Sequence, residues 1–156
     1  MIQRIQSVYL LLAALCAMAT LFVPLATFAT GAENQLISAC GLAFRTCGTA
    51  ADAETLQRPW GILVCSGLSA VVSLYTIFRY KDRKQQMRFC RFGMAIQAFA
   101  VAASGTYIAV FASKHAYTFS PNAGIALPLL AFVFLWLALR GIRKDEALVR
   151  AADRIR

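Results

Sequence analysis

The chain has 156 residues, of which 60% are hydrophobic and 15% charged, with a formal net charge of +9 at pH 7 and a mean hydropathy of +0.62. A soluble domain carries nearer a quarter charged residues, so a water-soluble globular fold is excluded, and so is disorder, which needs low hydrophobicity. Nine glycines and four prolines exclude collagen-like and low-complexity chains, and the length leaves no room for two sizeable domains.

The apolar excess falls in four runs without a charged residue, at 8–28, 61–78, 92–112 and 123–139. At about 1.5 Å of rise per residue they reach roughly 25–32 Å, the thickness of a hydrocarbon core of about 30 Å. Backbone groups in lipid need partners within the segment, so each run is predicted to be a helix. The expected fold is an all-α membrane protein, a single integral domain over 1–156 with four transmembrane helices in a bundle.

The opening MIQR and the run behind it also fit the start of a signal peptide. The apolar stretch exceeds the 7–15 residues usual for one, which favours a retained span. Residues 37–40, ISAC, resemble a lipoprotein cleavage box but lie well past the apolar run. The first loop, 29–60, and the second on the same side, 113–122, contain short segments such as 116–119 that could pair as a small β-sheet. Between them comes the opposite loop, 79–91, and the chain ends in a tail, 140–156. Pro24 and Pro128 interrupt apolar runs, and a static kink is expected at each.

Charge orients the spans. Arg4, six basic residues between 79 and 91, and six between 140 and 156 place 13 of the 16 Lys and Arg on one side. Only Arg45, Arg58 and Lys114 lie on the other. By the positive-inside rule both termini are cytoplasmic.

Within the spans, Ser66, Ser69, Ala70 and Ser73 recur at helical spacing, as do Gly93, Gln97, Ala98, Ala102, Gly105 and Thr106. Small faces allow close helix approach, and Ser, Thr and Gln are expected to bond across helices at roughly 0.6 kcal/mol each. The lack of an intramembrane charge weighs against coupled transport, which usually holds one. Cys16 and Cys65 read as packing residues, and Cys90 sits at the cytoplasmic edge. Cys40 and Cys47 share the outer loop, and three readings stay open: a structural disulfide, free thiols, or a redox pair. A bond would close a short loop and contribute about 2.5 kcal/mol. The redox reading is the weakest, since the spacing is not C-x-x-C. His115 is the sole histidine, with no ligand cluster beside it. No zinc spacing, Walker loop, dinucleotide fingerprint or nucleophile elbow occurs, so neither a cofactor nor a metal is expected.

The tail GIRKDEALVRAADRIR has helical periodicity, either prolonging the fourth span or turning into the interface. With RYKDRKQQMRFCR it forms a strongly basic surface suited to anionic headgroups, each basic residue contributing about 1 kcal/mol there. A protein partner or a second copy of the chain is the alternative occupant. Nucleic acid is disfavoured, because juxtamembrane charge already accounts for the basicity.

MIQRIQSVYLLLA at 1–13 and RKDEALVRAADRIR at 143–156 resemble the terminal signatures of a bacterial membrane family described as domain of unknown function DUF4293. The resemblance implies four spans and a bacterial inner-membrane location, and it brings no catalytic residues. The residues that carry it are Gln3, Arg4, Gln6, Lys144, Asp145, Glu146, Arg150, Asp153, Arg154 and Arg156. All fall on the cytoplasmic side and form the candidate docking surface. The expected function is therefore non-enzymatic: an accessory or scaffold protein whose basic cytoplasmic termini contact anionic lipid or a partner protein. A membrane thiol-disulfide protein using Cys40 and Cys47, or a small-solute transporter, are the alternatives.

Overall fold

The computed structural model describes residues 2–29, 36–47, 55–79, 82–115 and 118–153. Four long helices carry the chain: α1 (Ile2–Phe22), α2 (Trp60–Phe78), α3 (Arg83–His115) and α4 (Ala126–Asp153). All four are long and apolar enough to cross a membrane. Each packs against the helices before and after it, and α4 closes the ring on α1. The result is an up-and-down bundle of antiparallel neighbours, in which α2 and α3 are joined by a short turn and α1 and α2 by a long connection that holds four strands.

Side-chain size sets how closely the helices approach. At mid-height the core is Ala17 of α1, Ala70 of α2 and Ala131 of α4, all buried. Three alanines let the backbones draw together where lipid supplies no hydrophobic drive and van der Waals contact must hold the helices. Toward the end that holds the chain termini, Leu10 and Ala13 interlock with Cys90, Leu135, Ala138 and Leu139. Two polar contacts bind α3 to α4: Gln97 Nε2 donates to the Pro128 carbonyl at 3.1 Å, and Cys90 Sγ donates to the Leu135 carbonyl at 3.3 Å.

Several hydroxyls do not bridge helices as their spacing suggests. Ser73 donates to Ser69 O at 2.7 Å, Thr76 to Val72 O at 2.6 Å, Ser104 to Val101 O at 2.8 Å and Thr106 to Ala102 O at 2.8 Å. A short hydroxyl reaches its own previous turn more easily than a neighbour. Cross-helix bonding among the described residues comes instead from the Cys90 thiol and from longer amides such as Gln97 above and Gln86, whose Nε2 donates to Thr76 O at 3.5 Å.

The ends of the elements differ from the hydropathy boundaries. The first helix ends at Phe22 rather than near 28, because Pro24 cannot continue it, and 26–29 leave the helix as a strand. Pro24 is thus a terminator and not a kink. Pro128 lies in the first turn of α4, where its missing N–H has no intrahelical partner to lose. The connection expected over 79–91 shrinks to a tight turn, with Asp82 N donating to Arg79 O at 3.3 Å and Gln86 N to Asp82 O at 2.9 Å. Arg, Lys, Gln and Met are all good helix formers, so RKQQMRFCR becomes the opening of α3. The tail prolongs α4 as one continuous helix to Asp153.

A five-stranded antiparallel sheet covers the other end of the bundle. Its strands are β1 (Ala26–Ala29), β2 (Leu36–Ala39), β3 (Phe44–Cys47), β4 (Thr55–Gln57) and β5 (Thr118–Pro121), in the order β4-β3-β2-β1-β5. The sheet joins the bundle through Leu25, Ala26, Phe28 and Ala39, which bury against Ile62 of α2 and Ile108 of α3. The β2–β3 turn also closes the end of α1: Gly41 N donates to Thr20 O at 3.2 Å and Leu42 N to Leu21 O at 3.1 Å. Those carbonyls have no acceptor role left inside the helix, so the turn supplies their donors.

Candidate functional site: a basic groove between the third and fourth helices

The end of the bundle away from the sheet concentrates the charge. On its outer face α3 and α4 enclose a groove of about 530 Å³ lined by Arg91, Met94, Trp136, Leu139, Arg140 and Arg143. Helical geometry explains why these residues meet. Trp136, Arg140 and Arg143 follow one another at steps of four and three, which is a single stripe of α4, and Arg91 and Met94 make the facing pair on α3. Arg140 lies over the Trp136 ring, 5.6 Å from its centroid, which fixes one guanidinium against the floor. Arg91 Nε donates to the Met87 carbonyl at 3.4 Å, which draws the side chain back along its own helix. The lining includes three guanidinium groups and no acidic side chain among the described residues. Its wall is therefore positive and its floor apolar.

The α3 side of the groove starts within the apolar height of the bundle. Opposite Gly93 stands Val72, 3.5 Å from where a Cβ would be, and the Tyr75 and Phe89 rings meet edge to face at 5.1 Å. These contacts set Arg91 level with α2 residues 73–74. Phe78, 78% exposed, continues the apolar face of α2 about one helical turn, roughly 6 Å, beyond that level. On its α3 side the backbone that carries Arg91 thus lies inside the apolar limit of the neighbouring helix, and the Arg91 side chain turns back toward that limit to reach the Met87 carbonyl.

The residues singled out from the termini divide. Gln6 and Asp145 are brought together, but in the interior: both are buried, and Gln6 Nε2 donates to Asp145 Oδ2. Asp145 Oδ1 finds no hydrogen-bond partner among the described residues. The pair fastens α1 to α4, so neither belongs to a docking surface. Lys144 is exposed and Glu146 half-buried on the same stretch of α4. The side chains of Gln3, Arg4, Arg150 and Asp153, and Arg154 and Arg156 altogether, lie outside the described residues.

Cys40 and Cys47 are not brought together. In the β2–β3 register Ala39 faces Phe44 and Leu36 faces Cys47. Cys40, at the turn, is separated from Cys47 by the length of the hairpin, about 13 Å at 3.3 Å per residue. A disulfide needs Cα atoms within about 7 Å. The described residues hold no group of three or more His, Cys, Asp or Glu placed to bind a metal.

Arg91, Arg140, Arg143 and Trp136 escaped the reading of the sequence as a site, because basic residues beside a span read first as topology signals. The available signal was the 136, 140, 143 spacing, which puts an aromatic and two guanidinium groups on one helical stripe.

Comparison with known families adds one match: the model for Domain of unknown function (DUF4293) covers residues 2–155, essentially the whole chain. No curated protein matches it.

Proposed function

The chain belongs to the DUF4293 family, and from that premise we propose that it is a non-enzymatic, multi-pass protein of a bacterial inner membrane, with both termini cytoplasmic, whose basic end engages anionic lipid headgroups. The observation that carries this reading is the division of charge along the bundle. The termini, the α2–α3 turn, the opening of α3 and the far half of α4 carry 13 of the 16 basic residues, and the sheet-covered end carries three. Retention of Lys and Arg on the cytoplasmic side orients such bundles, and the negative potential of that leaflet then attracts the same residues. An accessory or scaffold role is the reading proposed for this end, supported by the continuation of α4 to Asp153 as a charged helix. A thiol-exchange role loses its support, since the hairpin register separates the two outer cysteines.

The orientation is tested by single-cysteine labelling in intact cells with a membrane-impermeant maleimide, on a background with native cysteines replaced by serine. A cysteine introduced at Lys144 should stay unlabelled until the cells are permeabilised, and one at Ser120 should react from outside. Labelling of position 144 in intact cells would overturn the reading.

A further inference from the structure

We propose that the α3–α4 groove is a binding site for an anionic phospholipid. Its phosphate is held by Arg91, Arg140 and Arg143, and the start of an acyl chain lies along Met94, Trp136 and Leu139. The inference deepens the functional reading and rests on it, since it takes the groove to open on the anionic leaflet.

Three features of the groove select this occupant. Charge complementarity comes first: three guanidinium groups converge on one groove whose lining offers no carboxylate. Guanidinium binds phosphate oxygens through paired donors, and the phosphodiester of a lipid is the anion that the adjoining leaflet presents to a groove on the outer face of the bundle. The second feature is the composition of the floor. Met94, Trp136 and Leu139 give an apolar surface continuous with the lipid-facing side of α4, where Leu129, Leu130 and Val133 are exposed. A free phosphate would leave that surface unused, whereas a lipid occupies head and floor together. The third is level. The Arg91 backbone lies about one turn inside the apolar limit marked by Phe78, and its side chain turns back along α3 to the Met87 carbonyl, toward the headgroup layer. At that level an anionic headgroup is the counter-charge held closest to the groove. Trp136 under Arg140 sits at the depth where aromatic rings favour the headgroup boundary.

The test uses the full chain in detergent, titrated with phosphatidylglycerol or phosphatidylethanolamine and read by native mass spectrometry. Phosphatidylglycerol adducts should persist at collision energies that strip phosphatidylethanolamine. The Arg140→Gln, Arg143→Gln double variant should lower phosphatidylglycerol retention at least tenfold. The Lys84→Gln, Arg88→Gln double variant, which removes the same charge from exposed positions of α3 outside the groove, should leave it within twofold. Arg91→Gln alone, which leaves α4 untouched, should produce an intermediate loss. Excess inorganic phosphate should not displace the lipid. Equal retention of the two lipids, equal loss in the two double variants, or displacement by phosphate would each overturn the proposal. The labelling experiment separates the two readings: a tail found outside the cell with groove-dependent adducts intact refutes the orientation alone. A cytoplasmic tail with no groove dependence refutes the site alone.

Discussion

Two glycines are required by what stands next to them. A Cβ on Gly41 would fall 2.7 Å from the Thr20 carbonyl oxygen, and one on Gly124 would fall 2.2 Å from that of Pro24. Both obstacles are backbone, so neither can swing aside. Gly41→Ala and Gly124→Ala should each lower stability by about 1–3 kcal/mol, as overpacking of a fixed site does. Gly67→Ala, with nothing within 4 Å of the new methyl group, should hold the melting temperature or raise it slightly, since alanine is the better helix former. Thermal unfolding in a mild detergent, followed by circular dichroism, compares the three. At the other end of α1, Asp145→Ala would leave the Gln6 amide buried without its acceptor. The expected cost is about 1–3 kcal/mol by the same assay, and Asp145→Asn, which keeps a carbonyl oxygen there, should recover most of it.

At the level of elements, the hairpin register sets Cys40 and Cys47 four residues apart along the β2–β3 ladder. Peptide mapping under non-reducing conditions should yield no peptide pair joining Cys40 to Cys47, even after mild oxidation of the purified protein. Recovery of that linked pair would show that β2 and β3 pair in another register. The four spans were legible because eighteen or so uncharged residues in a row have few other folded outcomes. The small sheet was legible as a possibility from the two outer loops, and β5 at 118–121 overlaps the run at 116–119. Residues 116 and 117 lie outside the described residues. The strand at 26–29 was hidden, since Ala26, Thr27, Phe28 and Ala29 are as apolar as the helix before them, and only Pro24 marks the break. The extra turns of α3 were hidden for the opposite reason. Charged residues past a span look like loop by hydropathy, although their helix propensity is high. The groove was illegible because it needs two helices in register, and a single sequence gives the stripe on each without their relative height.

On the scale of the whole molecule, sheet and bundle share a core. Phe28 is fully buried with Ile62 and Ile108, so one side chain touches both layers. Phe28→Ala should cost about 3–5 kcal/mol and shift the helical and tertiary signals together in one transition. A sheet that melted alone, with the helix signal unmoved, would show two independent units. The charge division belongs to this scale too, since no single residue carries it and removing any one arginine leaves the asymmetry standing.

The strand order also imposes a timetable on synthesis. β1 to β4 follow one another and can fold as a meander as soon as α2 has been inserted. The strand that covers the remaining side of β1 is β5, which becomes available only after α3 has been threaded back across. Until then the nascent protein carries an open row of amide and carbonyl groups along β1, an edge that any passing strand could occupy. The last loop to emerge from the ribosome is thus the one that seals the first.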